Sequence, residues 1–504
     1  MERKSIHIIG AGIAGLATGC YGQMNGYRTQ IFEKHDSPGG LCTSWKRKGY
    51  TIDGCLQWLV GTRPGVGFYR IWEELGAIQG QHIIDHEEFI RYEGKSGKVF
   101  IVYSDIDRFQ KHLEELAPQD SKVIEELALA ARTCAKYNLP MEKAPELYGT
   151  LDGIRFLIRA FPLLRILSRW KRVSVRDFAK RFSDPFVREA FTNIFDLPDF
   201  PMACFIMILA WKHQKNAGYP EGGSLAFSRR IERRYHDLGG RICYCSLVDK
   251  IMVENDKAVG VRLADGSEHR SDVTISAADG HATIFDMLGG KYLNDKIRDY
   301  YDTLPIFPPL IHVALGVARS FEGSPATVIY PLDESITIGG KIRKHLGVEI
   351  YNYDRTMTPP GKTVLKVLFP SDYTYWKNLK QDTERYKAEK EKIADQVISL
   401  LDRRYPGLAD QVEMRDVATP ITWERYTGNW KGSMEGWLIT QKTFPPFRMS
   451  KTLSGLKDFY MAGQWVEPGG GVPTAAMSGR NVIQIMCKRD KKTFVTTVQK
   501  ETLS

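Results

Sequence analysis

Gly10-Ala11-Gly12-Ile13-Ala14-Gly15 has the G-x-G-x-x-G spacing that lets a backbone turn tightly and then pass close to a pyrophosphate. Gly10 serves the turn, Gly12 the close approach, and Gly15 the packing of a helix on a strand. Ile13 and Ala14 stand at the start of that helix, whose free N–H groups and partial positive charge favour phosphate. Glu33, 23 residues after Gly10, is placed to accept hydrogen bonds from ribose hydroxyls. These residues read as a dinucleotide site. A second glycine-bearing run, Pro38-Gly39-Gly40-Leu41-Cys42-Thr43-Ser44, follows closely, with Gly49-Tyr50-Thr51-Ile52-Asp53-Gly54 beyond it. A third lies near the other end, where Phe459 to Trp465 runs into Glu467-Pro468-Gly469-Gly470-Gly471-Val472-Pro473-Thr474 and opens the last helix. Pro473 suits the first helical position, and the glycines leave the amides of that helix start bare to face an electron-rich group.

The elements that must position these residues are legible in part. Ile6 to Ile9 is a short apolar run suited to a buried parallel strand; Leu16 to Met24 continues as a helix, Gly26-Tyr27 breaks it, and Arg28 to Phe32 reads as a second strand. Gly222-Gly223-Ser224 caps a helix to about Leu238, ended by Gly239-Gly240. Arg241–Ile251, Lys257–Leu263 and Ser267–Ile275 then read as strands, with Asp265-Gly266 as a hairpin turn. Leu75 to Gly218 reads as mainly helical. Lys291 to Gly455 supplies strands at Ile311–Val317, Val348–Tyr353 and Val364–Phe369, then a helix over Asp382–Arg403 with Ile393, Val397, Leu400 and Leu401 on one face. Gly65-x-Gly67 lacks the flanking strand and third glycine of a second dinucleotide unit, so a dedicated NAD(P)H domain is not expected.

At 504 residues the chain is long enough for two domains, and its formal charge of +10 favours anionic surfaces. No zinc-finger spacing or basic run with interleaved aromatics appears, so nucleic acid is not an expected partner. The eight cysteines form no C-x-x-C pair, and no metal site is expected. Cys243 and Cys245 would share one face of a strand; reduced thiols in a cytoplasmic protein are the reading. No signal segment is read, and Met202 to Trp211 is about half of the ~20 apolar residues a span needs. Residues 151–172 project onto a helix with Arg155, Arg159, Arg165, Arg169 and Arg172 within about 140° of arc. Phe156, Leu157, Leu163, Leu164 and Leu167 fall opposite, the pattern of a helix lying in a membrane interface or of a core-packed helix with a basic face.

The glycine pair just past the ribose acid makes the chain resemble the flavoprotein superfamily of amine oxidases and phytoene desaturases. The resemblance implies FAD rather than NAD. It implies an α/β fold: a Rossmann-like FAD-binding domain of the glutathione reductase type, interleaved with a mixed α+β substrate domain. The FAD-binding domain would comprise residues 1–74, 219–290 and 456–488, the substrate domain 75–218 and 291–455, with 489–504 as a tail. Beside Gly10, Gly12, Ile13, Ala14, Gly15 and Glu33, the implied cofactor contacts are Lys34, Gly39, Gly40 and Leu41, with Val248 near the adenine. Gly463, Gln464, Gly471, Val472 and Thr474 complete the set at the flavin, Gln464 standing where many superfamily members carry an acid.

Thr419-Pro420-Ile421-Thr422-Trp423-Glu424-Arg425-Tyr426, with Gly428, Gly432 and Gly436-Trp437, resembles the carotenoid isomerase and retinol saturase subgroup. This implies redox chemistry on a long apolar polyene or isoprenoid: desaturation, saturation or cis–trans isomerisation. The expected partner is a hydrophobic small molecule, with peripheral contact on the inner face of a membrane. Alternatives on the same scaffold are an amine or protoporphyrinogen oxidase, an enzyme of unsaturated acyl chains, and a flavin-bound membrane sensor or assembly factor. No residue is singled out as catalytic, and Trp423, Trp430, Trp437 and Trp465 are read as core rather than as tunnel lining. The oligomeric state is not legible.

Overall fold

The structure, a computed structural model, describes residues 3–138, 141–195, 197–444, 449–469 and 471–498. Gly470 of the glycine run and the last part of the expected tail lie outside the described residues.

A five-stranded parallel sheet is built from three distant stretches of chain, in the order Arg241–Cys243, Arg28–Phe32, Ser5–Ile9, Val273–Ser276, Phe459–Met461. Ile6 and Ile8 are fully buried, as a parallel strand covered on both faces requires. The Ile13–Met24 helix and the last helix, Gly471–Arg489, pack together over this sheet. A second, seven-stranded mixed sheet runs in the order Val412–Ala418, Leu310–Val317, Thr363–Pro370, Lys341–Tyr351, Thr327–Ile338, Glu88–Glu93, Val99–Tyr103. The Thr383–Arg404 helix covers one side of it with Ile393, Val397, Leu400 and Leu401, the face expected from their spacing. The Leu75–Gly218 stretch is largely helical as expected, but it also contributes the 88–93 and 99–103 strands to the second sheet.

Three boundaries differ from the sequence reading. Arg241–Ile251 is not one strand. The chain turns at Cys245, whose φ is +53°, where the Cys245 and Ser246 amides donate to the His35 and Glu33 carbonyls. Val248–Glu254 then begins an antiparallel sheet, so Cys243 and Cys245 do not share a strand. Ser267–Ile275 likewise divides into Glu268–Arg270 and Val273–Ser276, which join different sheets. The last helix begins at Gly471, and Pro473 falls within its first turn, where its missing N–H costs nothing. The 327–338 strand, absent from the sequence reading, pairs with 341–351 through the two-residue Gly339-Gly340 turn, both residues having positive φ.

One buried ion pair ties the two ends of the chain. Glu74 is fully buried; it accepts a hydrogen bond from the Tyr21 hydroxyl at 2.7 Å and meets Arg480 Nε of the last helix at 3.2 Å. Arg480 also donates to the carbonyls of Met141 and Glu142. Replacing Glu74 by Ala leaves a buried guanidinium without its anion, and the expected loss is about 3–5 kcal/mol of unfolding free energy. Denaturant midpoints measure it; a loss below about 1 kcal/mol would remove the pair from the set of structural ties.

Candidate active site

The two sheets and the helices between them enclose a cavity of about 1980 Å³. Of the residues assigned to the cofactor, Gly10, Gly12, Ile13, Ala14, Glu33 and Lys34 line it. So do Gly39, Gly40, Leu41 and Val248, and, from the far end of the chain, Gly463, Gln464, Gly471, Val472 and Thr474. Gly15 does not. It packs under the turn, where a Cβ would overlap the Gly10 carbonyl oxygen, which is the helix–strand packing expected of it.

The turn is built as its spacing demands. Gly10 has φ +93°, and its amide donates to the Phe32 carbonyl at 2.8 Å. Gly12 precedes the 13–24 helix without a side-chain cap, so the first-turn amides keep their donor capacity. The Glu33 carboxylate accepts from the Ala11 amide at 2.6 Å and the His35 amide at 2.8 Å. Burial pushes this carboxyl above its usual range while the two amides pull it down. A carboxylate has about four lone-pair sites, so two remain for hydroxyl donors. Lys34 donates to the Arg425 carbonyl at 2.8 Å, and burial lowers its ammonium from the usual lysine range. Gln464 donates to Asn429 Oδ1 at 3.2 Å, an acceptor it shares with the Trp465 indole at 3.0 Å.

The opposite wall comes from the second sheet and from the helical stretch. His312, buried within an otherwise apolar strand, lines the cavity; Lys366 on the neighbouring strand is held by Glu349 at 2.6 Å and the Tyr351 hydroxyl at 2.8 Å. Burial and the nearby Lys366 push the imidazole of His312 down to about 3, so it is neutral. Sequence reasoning missed these two residues. The available signal was a charged or titratable residue inside an apolar β run, Ile311-His312-Val313 and Leu365-Lys366-Val367. Trp423, Trp437 and Trp465 are buried as expected of core residues, but Trp423 and Trp465 also form part of the cavity wall.

The Thr150–Trp170 helix corrects a further expectation. Phe156, Leu164 and Leu167, read as its membrane-facing side, line the cavity, and Leu163 is buried. Of that side Leu157 faces out, where it joins an outward apolar stripe of Leu151, Ile154, Leu157, Ile158 and Phe161, with Leu151 72% and Ile158 71% exposed. The helix is apolar around more than half of its circumference, so a single apolar side could not be read from the projection. Among the described residues no helix is long and apolar enough to cross a membrane, and no group of three or more His, Cys, Asp or Glu is placed to hold a metal.

Residues 13–486 match the family described as flavin containing amine oxidoreductase. The chain is 25% identical over 509 residues to a lycopene-forming phytoene desaturase of Pseudescherichia vulneris, covering 96% of this chain and 99% of that protein. It is 25% identical over 506 residues to the chloroplastic prolycopene isomerase of Daucus carota, covering 95% of this chain and 78% of that protein. Among solved structures, an oxidoreductase from Methanosarcina mazei superposes with a TM-score of 0.62 at 18% identity, covering 95% of this chain and all of that one. A glycine turn at the head of a parallel sheet, a returning C-terminal helix and a family match over nearly the whole length agree: the chain belongs to the flavin-containing amine oxidoreductase family and is a flavin-dependent oxidoreductase.

Proposed function

We propose that the flavin is FAD and that the enzyme acts on a long apolar polyene or isoprenoid, by desaturation, saturation or cis–trans isomerisation. The observation that carries this reading is the cavity. Its volume of about 1980 Å³ exceeds the roughly 300–1,000 Å³ of common small-molecule sites, leaving room for a dinucleotide and a long chain together. Beyond the dinucleotide residues the wall is mostly apolar, with Phe156, Leu164, Leu167, Met207, Ile208 and Trp211. Relatives named as phytoene desaturase and prolycopene isomerase support the same substrate class. FAD bound there supplies hydride chemistry, and the chain supplies position, a dry cavity and electrostatics.

The cradle fits FAD. Gly12 has φ −65°, open to any residue, and a Cβ on it would meet nothing closer than the Gly39 carbonyl at 3.9 Å. The fold does not require glycine at this position, whereas a diphosphate passing between Gly12 and Gly39-Gly40 does. Gly12→Ala is therefore expected to weaken FAD binding about tenfold or more, with little change in the stability of the apoprotein. Gly15→Ala is expected to destabilise the apoprotein itself. Flavin fluorescence titration and thermal melts separate the two; equal FAD affinity in Gly12→Ala would reject the cradle.

Contact with a membrane surface belongs to the same proposal, with the chain peripheral on the cytoplasmic face. The Leu151, Ile154, Leu157, Ile158 and Phe161 stripe is flanked by the exposed Arg155 and Arg159, while the other side of this helix lines the cavity. A substrate dissolved in lipid would thus have one helix between it and the site. Anionic vesicles are expected to sediment with the protein in preference to neutral ones, and Leu157→Glu with Phe161→Glu to lower recovery about tenfold or more. Equal recovery with both vesicle types, or none with either, counts against the contact.

The substrate class is tested anaerobically. Holoprotein is mixed with phytoene, carotenes, retinol, unsaturated fatty acids and a set of amines, with and without dithionite, while flavin absorbance and products are followed together. A change in a polyene is expected. If amines bleach the flavin and every polyene leaves it unchanged, the amine oxidase reading replaces this one.

A further inference from the structure

The carboxyls around the cavity differ in whether the protein uses them. Glu33 is held by two amides. Asp279 accepts from the Ala282 and Trp430 amides at 2.8 and 2.9 Å. Glu467 is closed onto Lys451 and accepts from Asn481 at 2.8 Å. Glu435 also lines the cavity, and among the described residues no hydrogen bond or ion pair engages its carboxyl. A structural carboxylate in an apolar enclosure is normally paired, because desolvating it alone is costly.

The backbone around Glu435 is fixed on both sides. The Ser433 carbonyl accepts from the Asn429 amide group, the Gly436 carbonyl accepts from the Phe307 amide at 2.8 Å, and the Trp437 indole donates to the Trp465 carbonyl at 3.1 Å. The carboxyl is therefore presented by a rigid segment. Its Oε1 lies 3.5 Å from the place a Cβ on Gly471 would occupy, beside the N-terminus of the last helix. That helix end favours the anion formed when the acid gives up its proton. The Cys55 thiol lies within electrostatic reach of this carboxyl and is hydrogen-bonded to the free Cys42 thiol. The first turn of the last helix carries no acidic side chain, and Glu467 at its entry is matched by Lys451. Burial alone pushes the Glu435 carboxyl up, to about 7. Both protonation states are then populated near neutral pH, the condition under which one group serves as acid and as base.

We propose that Glu435 is the catalytic proton carrier of this cavity, giving a proton to a carbon of the substrate's double bond and taking one back from the carbon adjacent to the cation so formed. The proposal rests on the polyene reading above. In the forward step the carboxyl O–H bond breaks and the alkene π pair forms the new C–H bond. The O–H electron pair stays on the carboxylate, and the adjacent carbon is left as a cation spread along the conjugated chain. Rotation about the former double bond, then return of a proton from that same carbon to the carboxylate, gives the cis–trans isomer with no net oxidation. A flavin held at the Gly12–Gly40 turn and the Gly471 helix start would supply the hydride for saturation or accept it for desaturation, with Glu435 handling the proton in either direction.

The test uses holoprotein in deuterated water with phytoene and with cis- and trans-lycopene. The wild type is expected to wash solvent deuterium into the polyene. Glu435→Gln is expected to slow this about hundredfold or more, and Glu435→Asp to restore part of it. Flavin affinity and spectrum should stay unchanged in both. Burial also raises the Asp279 carboxyl to about 7, so, independently of turnover, infrared spectra of the resting holoprotein should show carboxyl bands titrating near neutral pH, one removed by Glu435→Gln and another by Asp279→Asn. Wash-in at the wild-type rate in Glu435→Gln overturns the assignment while leaving the polyene reading intact. So does a set of bands that this substitution leaves unaltered. If wild-type holoprotein exchanges no deuterium into any polyene while amines reduce its flavin, the polyene reading falls and the proton carrier falls with it. Should Glu435→Gln not fold, the wild-type and Glu435→Asp spectra decide, because the band must shift between them.

Discussion

Everything at the cofactor end depends on how closely the first and last helices approach. A Cβ on Gly479 would stand 2.7 Å from the Ala14 carbonyl oxygen and 2.7 Å from the Thr18 hydroxyl, so a side chain at 479 would force the helices apart. The Thr18 hydroxyl donates back to the Ala14 carbonyl, leaving no outward polar demand at the contact. The adjacent Ser478 accepts from the Gly463 amide at 2.7 Å, and Gly463 lies against Ala14. With that contact in place, the amide-bearing starts of both helices open into one cavity. A helix shifted outward by the width of a methyl group would leave the diphosphate turn and the Gly471 end in separate places.

The cavity that results is electrically uneven. At one end two helix starts and several backbone amides present positive potential in a poorly solvated space, where such dipoles act more strongly than in water. At the other end the walls are largely aromatic and aliphatic, and Lys366, which enters there, arrives already neutralised by partners on the same sheet. An anionic cofactor and an uncharged chain can therefore occupy one enclosure without competing for the same wall.

The legibility of this arrangement followed the locality of its causes. Gly10 to Glu33 could be read because strand, turn, helix and acid are consecutive and each has a steric reason. The Thr383–Arg404 helix could be read because one covered face imposes a helical period. The split at Cys245 was not readable: the turn there is held by the carbonyls of Glu33 and His35, residues some 210 positions away. The two apolar sides of the Thr150–Trp170 helix could not be ranked from a projection, because which side faces the cavity is decided by the strands and helices around it. Glu435 carries no local signal at all. Met434-Glu435-Gly436 resembles any surface turn until the last helix is set against it.

The parallel sheet also fixes an order of events during synthesis. Its last strand, Phe459–Met461, and the helix that follows are made after the rest of the sheet. At ribosomal rates of about 5–20 residues per second, the interval between Gly10 and Gly471 is roughly 20–90 s. Over that time the nascent chain holds a turn shaped for diphosphate beside an apolar trough with one side missing. The cofactor cradle cannot close until Phe459–Met461 and Gly471–Arg489 have been made, so flavin capture and the closing of this sheet fall together. Until then the apolar side chains that will line the cavity lack their last wall, the condition under which exposed apolar surface favours misassembly.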